Sequence, residues 1–397
     1  MMPIAVLGAG PIGIDAALAL AERDVPFVLY EAAPSVGAHM GEWGHVRMFS
    51  PWRMNLSDRM RRALTSLGRE APDGDGCPTG RDYLREILEP LAASPRLQPH
   101  LVTHTRVLAV GREGLLKTEE IGSDERARRA FRLLVRGPDG RERIEASSAI
   151  LDCTGTYGQP NALGASGIPA PGEIETDDLI VRHLPDVRAE PDEWRGRSVL
   201  LVGEGHSAQA VAVELADIVT ADPSTHVVWA IRSVAPTWGA VEADPLPARA
   251  ALCNRARELA GGLVPGVEVR RGVEVGELER VDGRVKVAFE TANGGRAADT
   301  FDRIVSLTGY VGDHLLYRQL QVHECYASTA PMRLAAALLA SDGDGADCLA
   351  NTAGFGPESL SSPEPGFFVL GSKSYGRTSS FLLEAGWAQV DDVLTLL

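Results

Sequence analysis

The chain contains few lysines, scattered cysteines and no long apolar run. Lysine supplies three of the 39 basic residues, a bias from which no function follows. The five cysteines include no C-x-x-C pair, which excludes a redox-active dithiol made of neighbouring cysteines. Their odd number and wide spacing favour a reducing, cytoplasmic location over a disulfide framework. No apolar stretch approaches the roughly 20 residues of a membrane-spanning helix, so we expect no membrane association.

Positive charge is also in deficit. Asp and Glu number 54 against 39 Lys and Arg, which gives a net charge of −15. Because such a chain repels phosphate backbones and anionic lipid surfaces, we expect no nucleic-acid partner. Zinc sites usually show closely paired ligands, whereas His323, Cys325 and Cys348 show no such pairing. We therefore predict no metal site.

Two glycine-rich motifs of one type recur in the 397 residues, GAGPIG and GEGHSA. Each follows a short apolar strand and precedes an alanine-rich helix, which is the arrangement of a dinucleotide-binding unit. A chain with two such units is expected to hold two dinucleotides, one of which reduces the other. The cofactor-binding residues predicted in the motifs are Gly8, Gly10, Pro11, Ile12, Gly13, Gly203, Gly205, His206, Ser207 and Ala208.

The first motif is accompanied by every part of such a unit. A strand over residues 3–7 leads into it, and a helix is predicted from about Ile12 to Arg23. Gly10 lets the backbone approach a pyrophosphate, whose charge the N-terminus of the helix favours. The next strand ends at Glu31, and its carboxylate is placed to accept hydrogen bonds from ribose hydroxyls.

The second motif differs in the residue that follows its second strand. A strand over 198–202 leads into the motif, and a helix is predicted over 207–218. The next strand, over 227–231, ends at Arg232. Where an NAD site places a carboxylate, the chain has a guanidinium that can pair with a 2′-phosphate. The second site is therefore predicted to take NADPH, with NADH as the alternative.

The first unit resembles the FAD-binding N-terminus of flavoproteins with two dinucleotide-binding domains. That family includes flavin monooxygenases, N-hydroxylating monooxygenases and disulfide reductases. Residues 42–52, with Trp43, His45 and Arg47, resemble the segment that lies along the isoalloxazine in monooxygenase-like members. The resemblance adds Trp43 and Arg47 to the residues expected to bind FAD.

Three further strands resemble elements of the same family. One strand ends at Thr154 and Gly155, and another precedes Thr308-Gly309. Both resemble the strands at which the chain crosses between the two domains in members of that family. The last strand ends at Gly371 and resembles the strand that reaches the flavin. A terminal helix is predicted from Thr378 to about Leu396, with its N-terminus aimed at the flavin. Thr154, Gly155 and Gly371 join the predicted FAD-binding residues.

The resemblance implies an α/β fold with two Rossmann-like domains in a glutathione-reductase-like, three-layer architecture, the second domain inserted in the first. The expected FAD domain is formed by residues 1–165 and 307–397, and the expected NAD(P)H domain by residues 166–306. Residues 315–362 are expected to form a cap on the substrate side.

The implied function is that of an FAD-dependent monooxygenase in which NADPH reduces FAD, O2 then forms a flavin C4a-hydroperoxide, and the hydroperoxide oxygenates a small molecule. An NAD(P)H:acceptor reductase without oxygen transfer and a non-catalytic FAD/NAD(P)H redox sensor remain as alternatives. The sequence does not identify the substrate or the oligomeric state, and a homodimer is one possible assembly. No side chain is required to act as a nucleophile, because the flavin carries the chemistry. The candidates for lining the flavin are His45, Arg47, Asn55, Lys373, Tyr375 and Arg377.

Overall fold

The chain forms two compact units. The computed structural model describes residues 2–241, 244–291, 293–341, 354–378 and 380–397. The first unit comprises Met1–Gln159 and Val311–Leu397, and the second comprises Pro160–Tyr310. Both ends of the chain therefore belong to the first unit, and the second unit is an insertion in its sequence.

Both units contain strands and helices. The strands are β1 (Ile4–Leu7), β2 (Phe27–Tyr30), β3 (Leu101–Val102), β4 (Arg106–Arg112), β5 (Phe131–Arg136), β6 (Glu142–Ser147), β7 (Ile150–Asp152), β8 (Ile180–Val181), β9 (Ser198–Val202), β10 (His226–Ile231), β11 (Val267–Arg271), β12 (Val273–Val281), β13 (Arg284–Thr291), β14 (Arg296–Phe301), β15 (Arg303–Ser306) and β16 (Phe367–Val369).

The α-helices are of very different lengths. They are α1 (Pro11–Glu22), α2 (Ala38–Glu42), α3 (Trp52–Asn55), α4 (Asp58–Ser66), α5 (Gly80–Tyr83), α6 (Glu89–Ala92), α7 (Asp124–Arg128), α8 (His206–Ala221), α9 (Pro247–Ala260), α10 (Met332–Ser341) and α11 (Leu383–Val393). A π-helical turn, Leu84–Leu88, joins α5 to α6.

The first unit is built on a parallel sheet in the order β16-β7-β1-β2-β3. Its strands are short and almost wholly apolar, as strands buried on both faces are. Val6 and Leu151 on one face belong to the core that contains α1 and α11. Leu7 and Ile150 on the other face pack with the antiparallel sheet β4-β5-β6. The unit therefore has three layers.

The second unit repeats this plan. Its parallel sheet has the order β11-β10-β9-β15-β8, and a separate antiparallel sheet has the order β12-β13-β14. Leu201 and Trp229 face the core formed with α8 and α9, whereas Leu200 and Val228 face the core formed with the antiparallel sheet. The predicted α/β class with two Rossmann-like, three-layer domains is confirmed.

The C-terminal helix begins later than the sequence indicates. Residues Gly371–Tyr375 form a 3-10 turn, and Gly376 takes a φ of +59°, which ends that turn. Helix α11 starts only at Leu383. The predicted start at Thr378 is therefore wrong, because the backbone is still extended at the N-cap Leu382, which has a φ of −118° and a ψ of 155°.

The expected cap, 315–362, is only partly described. It contains the 3-10 turn Leu315–Tyr317, helix α10 and the 3-10 turn Pro357–Leu360, whereas Cys348 lies outside the described residues. Across the described ranges, no helix is long and apolar enough to span a membrane. No group of three or more potential metal-ligating side chains occurs in those same ranges.

Candidate dinucleotide-binding sites

The first glycine motif forms a tight turn between β1 and α1. Gly8 has a φ of +94°, and a β-carbon there would lie 2.7 Å from the carbonyl oxygen of Cys153. A β-carbon on Gly13 would overlap the carbonyl oxygen of Gly8. A β-carbon on Gly10 would meet no heavy atom within 4 Å. Gly8 and Gly13 are thus required by packing, whereas Gly10 borders open space that a ligand can enter.

The N-terminus of α1 borders the same space. Gly10 is its N-cap and supplies no side-chain hydrogen bond, and Pro11 occupies the first turn. The proline costs no helical hydrogen bond there, because the first N–H groups of a helix have no intrahelical acceptor. The positive end of a 12-residue helix is therefore available to an anion such as a pyrophosphate.

Glu31 is held at the edge of this turn. Its Oε2 accepts the backbone N–H of Ala9 at 2.8 Å, and its Oε1 accepts the N–H of Ala33 at 2.9 Å. A carboxylate offers about four lone-pair positions, so both oxygens can still accept a bond from a ribose hydroxyl. The structure thus fixes Glu31 beside the first motif, and its role at a ribose stays a prediction.

The ends of β7 and β16 lie next to the first motif. The β-carbon position of Gly8 is 3.2 Å from Cα of Thr154, and that of Gly371 is 3.1 Å from the side chain of Ile12. Gly155 and Gly371 both have positive φ, +69° and +72°. Thr154, Gly155 and Gly371 therefore gather where parallel strands end at one edge of a sheet, which is the usual place for ligands in such folds.

Lys373 does not line an open site. Its side chain is 0% exposed and its Nζ lies 2.6 Å from Oδ2 of Asp152. The same ammonium donates to the carbonyl oxygen of Asp313 at 2.8 Å and to Thr154 Oγ1 at 3.2 Å. The prediction that Lys373 lines the flavin is wrong, because its ammonium group is buried and paired with Asp152. The signal that could have revealed this is Asp152, an acid in an otherwise apolar strand.

Asn55 and Tyr375 are also interior residues, with exposed fractions of 1% each. Asn55 exchanges two hydrogen bonds with Ser50, at 2.7 and 2.9 Å. Tyr375 packs edge-on against Phe381, with ring centroids 5.3 Å apart, and burial raises the pKa of its phenol to about 12. Both flavin-lining predictions are corrected: these polar groups are directed into the core.

The other candidates keep accessible surface but are held by different segments. The half-buried Trp43 packs against Gly80. Arg47 is exposed and donates to the carbonyl oxygen of Cys77 at 2.5 Å. Arg377 is exposed, and its backbone N–H donates to the carbonyl oxygen of Ser328. His45 is half-buried. Their role at a flavin stays a prediction.

The second motif repeats the geometry of the first. Gly203 has a φ of +130°, and a β-carbon there would overlap the carbonyl oxygen of Leu307. A β-carbon on Gly205 would meet nothing within 4 Å. Gly205 caps the 16-residue helix α8 without a side-chain hydrogen bond, and Ala208 is buried in the core. This turn also presents an uncapped helix N-terminus to open space.

The remaining predicted residues surround that helix start. His206 and Ser207 are half-buried in its first turn, and Arg232 is exposed directly after β10. Burial lowers the pKa of His206, and the positive charge of Arg249 acts in the same direction. The imidazole is therefore neutral at pH 7, so it adds no positive charge to this anion site.

One residue of this site escaped the sequence reasoning. Glu204, inside the second motif, accepts the hydroxyl of Ser233 at 2.8 Å and the backbone N–H of Ser233 at 3.2 Å. The signal was an acid between the first two glycines, where the first motif has Ala9. Its carboxylate thus lies just beyond the end of β10, at Ser233, the residue that follows Arg232 in sequence.

No family model matches the chain, and no curated protein matches it in sequence. Solved structures do match over its whole length. The bacillithiol disulfide reductase Bdr (YpdA) from Bacillus cereus aligns with a TM-score of 0.69 at 17% identity, over 100% of this chain and 98% of that one. The fold is that of two-dinucleotide-binding-domain flavoproteins.

Two other solved structures show how broad that fold group is. An ornithine N-hydroxylase from Kutzneria sp. 744, named with reduced FAD, NADP+ and L-ornithine, aligns with a TM-score of 0.65 at 17% identity, covering 100% of this chain and 99% of that one. A thioredoxin reductase from Lactococcus lactis aligns with a TM-score of 0.58 at 13% identity, with the same coverage. At such identities the similarity establishes the fold, whereas the reaction depends on the site.

Proposed function

We propose that the chain is an FAD-dependent oxidoreductase in which a reduced nicotinamide dinucleotide, bound by the second unit, reduces FAD bound by the first. The observation that carries the proposal is the pair of uncapped helix N-termini at Gly10 and Gly205, each bordering open space. Two such anion sites in one chain match the needs of two dinucleotides.

In the first unit, the residues present fit FAD. The turn at Gly8–Gly13 and the start of α1 would hold the pyrophosphate, and Glu31 would accept hydrogen bonds from the adenosine ribose hydroxyls. Thr154, Gly155 and Gly371 shape the backbone near the ring system. FAD supplies the redox chemistry when bound, and these residues supply its position.

In the second unit, the turn at Gly203–Ala208 holds the nicotinamide dinucleotide by its pyrophosphate. Arg232 is exposed at the end of β10 and attracts the 2′-phosphate of NADPH. His206 and Ser207 lie in the first turn of α8. NADPH is the proposed donor on the strength of Arg232.

Oxygenation of a small molecule is the proposed reaction. It is supported by the resemblance of residues 42–52, with Trp43 and Arg47, to monooxygenase-like members of the fold group. The absence of a C-x-x-C pair from the sequence also disfavours electron transfer through a dithiol. A reductase without oxygen transfer is the second candidate, and the likeness to the Bacillus cereus disulfide reductase favours it.

Two matched glycine variants test the cofactor assignment. Neither Gly10→Ala nor Gly205→Ala creates a clash within the protein, and both positions have backbone angles that alanine adopts, with φ of −79° and −70°. Each added methyl instead enters the space proposed for a pyrophosphate. Gly10→Ala is expected to yield folded protein depleted of FAD. Gly205→Ala is expected to keep FAD but to lose its reduction by NADPH.

Retention of both FAD and NADPH reduction in both variants would overturn the assignment. Rapid mixing of the wild type with NADPH in air then separates the reactions. A spectral species distinct from oxidised and reduced flavin before reoxidation supports oxygenation, and direct reoxidation supports the reductase. If neither NADPH nor NADH bleaches the flavin, both enzyme functions are refuted and the redox sensor remains.

A further inference from the structure

In both units a hydrogen bond joins the second residue of the glycine motif to the segment after the second strand, but the carboxylate lies on opposite sides of that bond. In the first unit, the second residue of the motif, Ala9, donates its N–H to Glu31, the residue directly after β2. In the second unit, the second residue of the motif is Glu204, and its carboxylate accepts from Ser233, two positions beyond the end of β10. Each unit thus has a carboxylate fixed between its motif and the end of its second strand.

The position of that carboxylate has a known chemical consequence. In dinucleotide-binding units, an acid at the end of the second strand hydrogen-bonds the 2′-hydroxyl of the adenosine ribose, and an arginine nearby accommodates a 2′-phosphate instead. The second unit has both groups at this place. Glu204 accepts a hydrogen bond from Ser233, and the exposed Arg232 directly precedes Ser233 in sequence.

The backbone around Glu204 is also fixed. Gln209 is buried, and its amide nitrogen donates to the carbonyl oxygen of Glu204 and to that of Trp238, both at 3.0 Å. With its backbone and both carboxylate oxygens engaged, Glu204 is preorganised. Each oxygen can still accept a further hydrogen bond, and the negative charge cannot turn away from an incoming anion without breaking two bonds.

We propose that Glu204 is a specificity-determining residue that makes the second unit a dual site for NADH and NADPH. Its carboxylate accepts a hydrogen bond from the free ribose diol of NADH and repels the 2′-phosphate of NADPH. Arg232 attracts that phosphate and offsets the repulsion. This inference rests on the proposed function, since it assumes that the second unit binds a nicotinamide dinucleotide.

Direct binding of NAD+ and NADP+ to the FAD-loaded full chain tests the inference by calorimetry, without turnover. The wild type is expected to bind the two with dissociation constants within about tenfold of each other. Glu204→Gln keeps an acceptor for Ser233 but removes the charge. It is expected to shift the ratio of affinities toward NADP+ by about tenfold.

Two further variants sharpen the result. Arg232→Gln is expected to shift the ratio in the opposite direction, toward NAD+. Glu258→Gln removes one carboxylate from α9 of the same unit, where the side chain is 59% exposed and pairs with Arg255, and it should leave the ratio unchanged. This control separates a local effect from a change in net charge.

Each outcome has a distinct meaning. An unchanged ratio in Glu204→Gln, or a wild type that prefers NADP+ by more than about a hundredfold, overturns the role of Glu204. If Glu204→Gln does not fold, a ratio that fails to move in Arg232→Gln overturns the dual site by itself. Absence of binding of both dinucleotides to the folded wild type refutes the proposed function instead.

Discussion

Replacement of Lys373 by methionine should destabilise the first unit strongly. The ammonium and the Asp152 carboxylate are both 0% exposed and 2.6 Å apart. Methionine fills most of the space but leaves the carboxylate, among the described residues, with the N–H and hydroxyl of Thr154, at 3.1 and 2.6 Å. Breaking a buried ion pair from one side costs about 3–5 kcal/mol, because one charge stays buried without its partner.

The cost includes a second contact. Lys373 also donates to the carbonyl oxygen of Asp313, so the lysine ties β7 to the segment that re-enters the first unit after residue 310. Loss of that bond adds about 1 kcal/mol. The double variant Asp152→Asn/Lys373→Met, which removes both charges, should be more stable than Lys373→Met alone, since coupled residues show non-additive effects.

Urea unfolding of the full chain, followed by circular dichroism and tryptophan fluorescence, measures these differences. Lys286→Met is the matched control, because Lys286 forms an exposed pair with Glu279 in which the side chains are 50% and 62% exposed. Such a pair contributes less than about 1 kcal/mol. Equal losses in Lys373→Met and Lys286→Met would refute the reasoning, as would a double variant that loses the sum of its parts.

Two other predictions concern buried charges of the first unit. Glu364 is 0% exposed and binds Arg112 at 2.6 Å and Arg126 at 2.8 Å. The substitution Glu364→Gln should lower the free energy of unfolding by about 3–5 kcal/mol. A loss below about 1 kcal/mol would contradict this. Burial, outweighing Arg59, raises the pKa of Asp15 from 3.8 to about 6. The stability from this group is therefore full below pH 3.8 and is lost as the pH rises through about 6, by about 3 kcal/mol. Asp15→Asn should flatten the stability profile across that interval, and an unchanged slope in urea titrations at several pH values would refute the assignment.

The first site shows how far local sequence reaches. Gly8, Gly13 and Glu31 were predicted from spacing alone, because a turn between a strand and a helix fixes their relative positions within about thirty residues. The structure gives Gly8 a positive φ, leaves no room for a β-carbon on Gly13 and holds Glu31 by two backbone N–H groups. The FAD and nicotinamide assignments of these turns stay proposals.

The side chains farther along the chain were harder to place. Lys373 carries a charge that could bind a ligand, yet it forms an ion pair with Asp152, which lies 221 positions away in sequence. Tyr375 and Asn55 also lie in the interior. Tyr375 packs against Phe381, and Asn55 accepts a hydrogen bond from Ser50. Polarity in a sequence does not reveal whether the partner is a ligand or a distant side chain.

By itself, the sequence determined the two glycine turns and the strands and helices around them. These features depend on backbone geometry and on apolar periodicity, which act over short stretches of chain. Only the tertiary structure decided that Lys373 pairs with Asp152 and that Glu204 reaches Ser233. The physical reason is that charge pairing depends on distance in space and on burial, and both arise only when distant strands meet.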